Sequence, residues 1–263
     1  MTDLSKLPGV DPEVPNAARM YDYYLGGSHN FAADRAAAER VKSAMPFAVD
    51  VARANRFFMI RAVRFCVQEG IDQFLDLGSG IPTVGNVHEV ALGINPQARV
   101  AYVDNEPVTV ASAAALLEGE PRVTITMADI RDVDAVFAAP GVRDLLDLTR
   151  PVALLMVAVL PFIPDEDDPA GLAERYRSRL APGSFQVLSH GSADQDSSGT
   201  AAAAEVYRRT ANPVKARTRS EIAEMLRGTE LVEPGLVDAT EWRPEDTTGG
   251  QHRMMLAAVG RIR

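Results

Sequence analysis

The chain of 263 residues contains a single cysteine, Cys66, and this scarcity excludes two kinds of structure. One thiol cannot form a disulfide within the chain, and it cannot build a cysteine-ligated metal cluster. The residues around it have a helical pattern, which predicts a buried and inert thiol. We therefore expect no resident metal and a reducing compartment.

Long apolar runs and an excess of basic residues are also missing. No stretch approaches the roughly 20 apolar residues that span a membrane, and the N-terminus lacks the apolar core of a signal peptide. The 27 basic and 36 acidic residues give a net charge of -9. Because broad nucleic-acid binding needs clustered cations, we expect no nucleic-acid partner. From the missing apolar runs we expect a cytoplasmic protein that does not bind membranes.

The remaining composition, 46% hydrophobic and 24% charged, is typical of a globular protein. From residue 71 onward, strand and helix patterns alternate, which predicts an α/β domain over residues 71–263 with helices on both faces of a mostly parallel sheet. The expected strands are 73–77, 99–104, 122–127, 151–158 and 184–190. Two further strands, near 230–237 and 253–260, are expected to form an antiparallel edge, and the polar segment 192–199 is expected to be a loop.

Residues 1–70 are predicted to form a helical extension that joins the same compact unit. Helices are expected over 16–25, 31–44 and 46–69, the last ending at Gly70. In the third helix an apolar stripe recurs at steps of three and four residues. Its members are Phe47, Val51, Ala54, Phe58, Ala62 and Phe65. Four arginines, at 53, 56, 61 and 64, are predicted to lie on the opposite side.

The segment FLDLGSG at 74–80 is the most informative part of the chain. A short apolar run ends in Asp76 and is followed by Gly78 and Gly80, which predicts a buried strand that opens into a glycine-rich turn. An acid before the first glycine repels a diphosphate but suits a ligand with an amino group. Thr83 stands where a dinucleotide fingerprint would have its third glycine. We interpret the turn as a site for S-adenosylmethionine (SAM).

Acidic residues also follow the next two predicted strands. Asp104 ends the second strand, where a carboxylate can accept both hydroxyls of a ribose, and Asp129 follows the third, where it can accept from an adenine amino group. Ligands of open α/β sheets bind at this edge. Each acid alone would also suit a helix N-cap, so the ordered trio carries the interpretation.

The sequence also resembles a known family. The segments PNAARMYDYYLGGSHNFAADRAAAE, FLDLGSGIPT, VAYVDNEP and LVEPGLVDATEWRPED resemble a bacterial family of SAM-dependent methyltransferases that is abundant in actinomycetes. The resemblance spans nearly the whole chain and is most specific in its N-terminal part. It implies the Rossmann-like class I methyltransferase fold, with a seven-stranded sheet whose last strand is antiparallel, and SAM as the cofactor.

By position, the resemblance also implies roles for individual residues. Gly78, Ser79 and Gly80 would line the methionine moiety. Asp104 would bind the ribose and Asp129 the adenine, and the adjacent Asn105 and Ile130 are also expected to bind the cofactor. Such sequences often have Val-Leu-His after the fourth strand, whereas this chain has Val159, Leu160 and Pro161. A role of that histidine in placing substrate would therefore be absent here.

The N-terminal extension is expected to contribute a lid and part of the acceptor pocket. The residues concerned are Tyr21, Tyr24, Gly26, Gly27 and Asn30. Two adjacent glycines would let this segment close over the cofactor and exclude water. The alternative is a helix packed on the sheet with tyrosines at its edge. Arg19 and Arg35 are either anchors for a carboxylate or solvated surface residues.

Candidates for a general base are few. His190, at the end of the fifth predicted strand, is the best placed, although a structural histidine at a strand end fits equally well. We assign no catalytic role to His88 or His252. No Pro-Cys pair follows the fourth strand, which argues against a covalent cytosine-C5 mechanism. No Asn-Pro-Pro-aromatic tetrad stands there either, so the usual site for methylating an adenine or glutamine amino group is not indicated.

The leading hypothesis is a SAM-dependent methyltransferase that acts on an oxygen or nitrogen atom of a small molecule. The alternatives are a nicotinamide-dependent oxidoreductase of similar fold and a non-catalytic SAM-binding regulator. The expected partner is a small-molecule acceptor, and a homodimer is compatible with the sequence.

Overall fold

The computed structural model of the protein describes residues 4–82, 85–194, 197–245 and 254–263, with the side chains of residues 197–200 left aside. Its strands are β1 (Gln73–Leu77), β2 (Arg99–Asp104), β3 (Val123–Met127), β4 (Ala153–Val157), β5 (Phe185–Gly191), β6 (Thr229–Leu231), β7 (Val237–Asp238) and β8 (Met255–Ile262). They form one sheet in the order β3-β2-β1-β4-β5-β8-β6, and β7 also pairs with β8.

The five parallel strands β3, β2, β1, β4 and β5 confirm the predicted fold class. The sheet has eight strands in the described residues, where seven were expected. The predicted strand at 230–237 is split into β6 and β7, because Glu233 and Pro234 form a turn before Gly235, whose φ is +86°. Strand β8 is not at the edge but runs antiparallel between β5 and the two short strands.

Helices cover both faces of the sheet. They are α1 (Ala17–Tyr24), α2 (Ala32–Ala44), α3 (Ala48–Gln68), α4 (Val87–Ile94), α5 (Pro107–Leu116), α6 (Val133–Ala138), α7 (Pro140–Arg143), α8 (Pro169–Arg177), α9 (Ser197–Tyr207) and α10 (Arg219–Glu224). The loop prediction for 192–199 is wrong at its end, since the alanine-rich run after it belongs to a helix that already begins at Ser197. Residues 195 and 196 lie outside the described residues, as does His252.

Helix α3 confirms the second half of the predicted apolar stripe, since Phe58, Ala62 and Phe65 are buried. In its first half Ala48, Ala52 and Asn55 are buried, whereas the predicted Phe47, Val51 and Ala54 are only partly buried. Two of the arginines are consequently not on the solvent side: Arg56 and Arg61 are half-buried, and Arg61 donates a 2.9 Å hydrogen bond to the carbonyl of Trp242. The thiol of Cys66 is buried, as predicted, and burial raises its pKa.

The N-terminal helices share a core with a helix from the far end of the chain. Met20, Tyr24 and Val41 of α1 and α2 pack with Ala203 of α9. The extension is therefore held in place by a segment that follows β5.

Within the described residues, no helix combines the length and apolar character needed to cross a membrane.

Candidate functional site

The strand order places the candidate site between β1 and β4. From β1 the chain proceeds to β2 on one side, and from β4 it proceeds to β5 on the other. Ligands of doubly wound sheets bind at such a switch point, outside the carboxyl ends of the strands. Asp76 and the glycine-rich turn lie at the end of β1, and Ala158 and Val159 lie at the end of β4.

The two glycines of the turn have different surroundings. Both have positive φ values, +68° at Gly78 and +66° at Gly80, which favour glycine. A Cβ on Gly78 would lie 2.3 Å from Cγ2 of Val159, whereas a Cβ on Gly80 would have no heavy atom within 4 Å. Gly78 thus closes the turn against the β4 end, and Gly80 presents bare backbone to open space.

Asp104 joins the end of β2 to the same turn. Its Oδ2 accepts a 2.9 Å hydrogen bond from the backbone N–H of Gly80, and its Oδ1 accepts one of 2.9 Å from that of Glu106. Burial raises the pKa of the carboxyl, and these hydrogen bonds oppose that rise. A carboxylate has about four lone-pair sites and backbone groups use three of those of Asp104, so it can still accept from a ribose hydroxyl. Asn105, next along the chain, is exposed.

Asp76 is buried beside the turn, with 7% of its surface exposed. Where side chains are described, no donor forms a hydrogen bond with its carboxyl group. Burial raises its pKa to about 7, and the positive charge of Arg56 opposes that rise. Buried ionisable groups are normally paired, so an acid without a partner at a switch point indicates a missing cationic ligand. The Oγ of Ser79 is likewise buried without a hydrogen-bond partner in the described residues.

Asp129 and Ile130 follow β3 at the same edge of the sheet. The Nε of Arg131 donates to both oxygens of Asp129, at 3.0 and 2.9 Å, and holds the pKa of that carboxyl below its usual range. Ile130 buries its side chain, and its carbonyl accepts a 2.8 Å hydrogen bond from the hydroxyl of Tyr176. An adenine amino group at Asp129 would therefore share an acceptor with Arg131.

Ala158, the residue after β4, has a strained backbone. Its φ is +55°, a left-handed value that is uncommon for residues other than glycine, and its N–H donates to the carbonyl of Ser189 at 3.1 Å. Such strain costs about 1–3 kcal/mol and is often found at functional sites. It adds a second argument for placing the site at the β4 end.

Helix α3 covers the open side of the switch point, which the sequence did not indicate. Oδ1 of Asn55 accepts a hydrogen bond from Ser189 on β5 at 2.5 Å, and its Nδ2 donates to the hydroxyl of Tyr21 at 3.2 Å. The guanidinium of Arg56 lies 5.8 Å from the centre of the Tyr21 ring. Tyr21 thus contacts two residues of α3, and its role in a lid stays a prediction.

The double glycine has a structural explanation in this fold. The segment 26–30 folds around the buried carboxyl group of Asp22, which accepts from the backbone of His29 and from the side chain of Asn30 at 2.9 and 2.8 Å. A Cβ on Gly27 would lie 1.9 Å from that carboxyl, and Gly26 has φ +81°. A lid function for this segment stays a prediction. The role of Asp22 was not predicted from the sequence.

Tyr24, the other predicted lid tyrosine, is 6% exposed and packs in the core shared by α1, α2 and α9. Burial raises the pKa of its hydroxyl far above the usual range. This position favours a packing role over contact with an acceptor. Arg35 is exposed and donates to the carbonyl of Asn30 at 3.0 Å.

Arg19 is buried in a network that ties the extension to the β2 end. It pairs with Asp34 at 2.9 Å and with Glu106 at 3.2 Å. The side chain of Asn16 donates to Glu106 at 2.9 Å and to Asn212 at 2.8 Å. Arg19 therefore binds two carboxylates of the protein itself. One of them, Glu106, lies two residues after Asp104.

His190 is fully buried at the end of β5. Its Nδ1 lies 2.9 Å from the carbonyl of Gly191 and its Nε2 lies 3.0 Å from a guanidinium nitrogen of Arg217. Nδ1 therefore carries the proton and Nε2 accepts. Burial lowers the pKa of the ring to about 4. Both nitrogens are engaged, which favours the structural alternative over the predicted role as a base.

These residues define a nucleotide-type cofactor site of a Rossmann-like enzyme. The site combines the switch point, the bare backbone at Gly80 and the acids at the ends of β1 and β2. A family model described as S-adenosyl methyltransferase matches residues 5–263. The chain belongs to this S-adenosyl methyltransferase family, and its cofactor is SAM. No curated protein matches the sequence.

Two solved structures resemble the chain over almost its full length. A candidate methyltransferase from Thermobifida fusca is 37% identical, with a TM-score of 0.92 over 97% of this chain and 98% of the other. A DUF574 family protein from Streptomyces avermitilis is 39% identical, with a TM-score of 0.92 over 96% and 99%. Human N-acetylserotonin methyltransferase in complex with SAM shares the fold at 16% identity, with a TM-score of 0.50 over 92% of this chain and 62% of the other.

The residues at the switch point fit this cofactor. Its sulfonium and ammonium groups are cationic, and the buried carboxyl group of Asp76 lacks a cationic partner among the described residues. The open space at Gly80 admits a ligand close to the backbone, and Asp104 lies within hydrogen-bonding distance of that backbone. A diphosphate would instead meet two buried acids, which argues against the nicotinamide alternative.

Proposed function

We propose that the protein transfers a methyl group from SAM to an oxygen or nitrogen atom of a small molecule. The observation that carries this proposal is the buried, unpartnered carboxyl group of Asp76 beside the bare backbone of Gly80. Asp76 would receive the ammonium group of the cofactor, and Asp104 a ribose hydroxyl. Ser79 and Gly80 would line the methionine chain, and Asp129 with Ile130 the adenine.

SAM supplies a methyl group on a positively charged sulfur, which an acceptor displaces in line. The protein then has to align the acceptor and keep water out, and good alignment alone is worth roughly 7–11 kcal/mol. Tyr21 and Asn55 are suited to this task, because a chain of hydrogen bonds from Ser189 through Asn55 to Tyr21 fixes their positions over the β4 and β5 ends.

A general base on the protein is not part of this proposal. His190 has both ring nitrogens engaged, and the acids beside the turn, Asp76 and Asp104, are assigned to the cofactor. We therefore favour an acceptor that attacks without losing a proton to the protein, such as an amine, or one that is already ionised. General bases typically contribute about 10²–10⁴-fold, so a base-free site suits a reactive acceptor.

A non-catalytic SAM-binding regulator is the second candidate, and the engaged nitrogens of His190 are the observation in its favour. The two candidates differ in turnover. The purified protein is incubated with methyl-labelled SAM and a panel of small amines, phenols and carboxylic acids, with the Asp104→Ala variant as the control. Transfer by the wild type that Asp104→Ala abolishes supports the enzyme, whereas tight SAM binding without transfer to any acceptor supports the regulator.

A cytoplasmic location belongs to the same proposal. The free, buried thiol of Cys66 fits a reducing compartment, in which no disulfide is needed. Fractionation of cells that produce the protein tests this directly, and recovery outside the cytoplasm would contradict it.

A further inference from the structure

Arg56 is a half-buried cation on α3 that lacks an anionic partner among the described residues. In the part of the chain whose side chains are described, it forms no ion pair, although the chain carries 36 acidic residues. Other buried arginines have hydrogen-bond acceptors: Arg19 pairs with two carboxylates and Arg217 with Asp165, and Arg177 donates to Gln186 and to backbone carbonyls. A partly desolvated guanidinium without an anion indicates a place for one.

Contacts of its neighbours locate Arg56 relative to the glycine-rich turn. Residues four apart share one face of a helix, so Arg56 and Ile60 project to the same side. Ile60 contacts the segment after the turn, since a Cβ on Gly85 would lie 2.8 Å from its Cδ1. On the neighbouring position, Asn55 is bonded to Ser189 at the β5 end. The part of α3 that carries Arg56 therefore lies near the β5 end and near the segment that follows the glycine-rich turn.

Its charge acts on the acid of that turn. Arg56 is the main group that opposes the rise in the pKa of Asp76, and it also acts on Tyr102, the residue opposite Asp76 in the register of β1 and β2. The site thus presents one buried acid and one partly buried cation close together, yet not bonded to each other. A zwitterion is the ligand that satisfies both, and the amino-acid end of SAM is one.

We propose that Arg56, held over the ring of Tyr21, binds the carboxylate of the cofactor's amino-acid end while Asp76 binds its ammonium group. This inference rests on the proposed function, because it assigns a residue to the same cofactor. Guanidinium and carboxylate match in geometry, and the aromatic face of Tyr21 supports the guanidinium without neutralising it. The other occupant to consider is a carboxylate of the acceptor, and the test below separates the two.

The test is calorimetric titration with two ligands that differ only in the carboxylate. These are S-adenosylhomocysteine, the demethylated product, and its decarboxylated analogue. We expect Arg56→Gln to weaken binding of S-adenosylhomocysteine by about 10- to 100-fold, the range for a charge-assisted hydrogen bond. The analogue should bind wild type and variant within about threefold of each other. Arg53→Gln, an exposed arginine of the same helix, should change neither.

The outcomes separate failure of this inference from failure of the proposed function. Unchanged binding of S-adenosylhomocysteine by Arg56→Gln, with binding lost in Asp104→Ala, would overturn the role of Arg56 and leave the cofactor site intact. Equal losses for both ligands would also overturn it, because the carboxylate would then not be the group recognised. If the folded wild type binds neither ligand, both proposals fail.

A second comparison keeps the inference testable if Arg56→Gln does not fold. The wild type alone should bind S-adenosylhomocysteine at least tenfold more tightly than the decarboxylated analogue. Arg56→Lys keeps the charge but not the planar fork, so it should retain part of this preference. Equal affinity of the wild type for the two ligands would contradict the proposal.

Discussion

The two glycines of the turn should respond to the same substitution in opposite ways. In Gly80→Ala the new methyl group meets no protein atom within 4 Å, so the cost to folding is the left-handed backbone alone, about 1–2 kcal/mol. In Gly78→Ala the same backbone cost applies, and the methyl group would also lie 2.3 Å from Cγ2 and 2.8 Å from Cβ of Val159. Because rotation of Val159 cannot move its Cβ, overpacking adds about 1–3 kcal/mol.

The consequences for ligand binding run the other way. The methyl group in Gly80→Ala occupies the space through which the cofactor approaches the backbone, so binding of S-adenosylhomocysteine should weaken at least tenfold in a protein that is still well folded. Gly78→Ala should lose about 2–5 kcal/mol of stability. Urea unfolding measures the stability of each variant, and calorimetric titration measures the affinity. The reasoning is refuted if Gly80→Ala binds like the wild type, or if Gly78→Ala is as stable as Gly80→Ala.

Three further predictions concern charges. Arg19→Met leaves two buried carboxylates uncompensated and should lower the free energy of unfolding in urea by about 3–5 kcal/mol. Arg131→Met, at an exposed ion pair, should lower it by less than about 1 kcal/mol, and equal losses would contradict the account. Unfolded Asp76 loses its proton near pH 4 but the folded residue near pH 7, so the folded state loses stability as pH rises between these values. From pH 5 to pH 8 the ligand-free wild type should therefore lose about 2–3 kcal/mol more than Asp76→Asn, and parallel profiles would contradict this. The His190 ring should stay neutral between pH 5.5 and 8 by NMR, because burial lowers its pKa to about 4; a midpoint near 6.5 would restore it as a candidate base.

The elements that sequence predicted well are those encoded by local pattern. The bounds of β1 and β2 agree with expectation to the residue, because a short apolar run and an abrupt glycine or acid mark each end. The same local signals brought Asp76, Gly80 and Asp104 to one edge of the sheet, since the ends of neighbouring parallel strands meet there.

The features that sequence missed depend on contacts between distant segments. Hydrophobic periodicity placed Arg56 on the solvent side of its helix, since the pattern cannot tell solvent from a polar site. The engagement of His190 depends on Arg217, which comes from a separate segment 27 residues later. Gly27 was interpreted as a hinge because only the folded loop shows that a carboxyl group from Asp22 fills the space of its side chain.

The most direct test of the cofactor site is a calorimetric titration of S-adenosylhomocysteine into the wild type and Asp76→Asn at pH 8, where the wild-type carboxyl is ionised. The variant keeps the shape of the side chain and removes its charge. The account predicts micromolar binding by the wild type and at least tenfold weaker binding by Asp76→Asn, with both proteins folded. Equal affinities, or a folded wild type that does not bind, would contradict the assignment of Asp76 and with it the central claim.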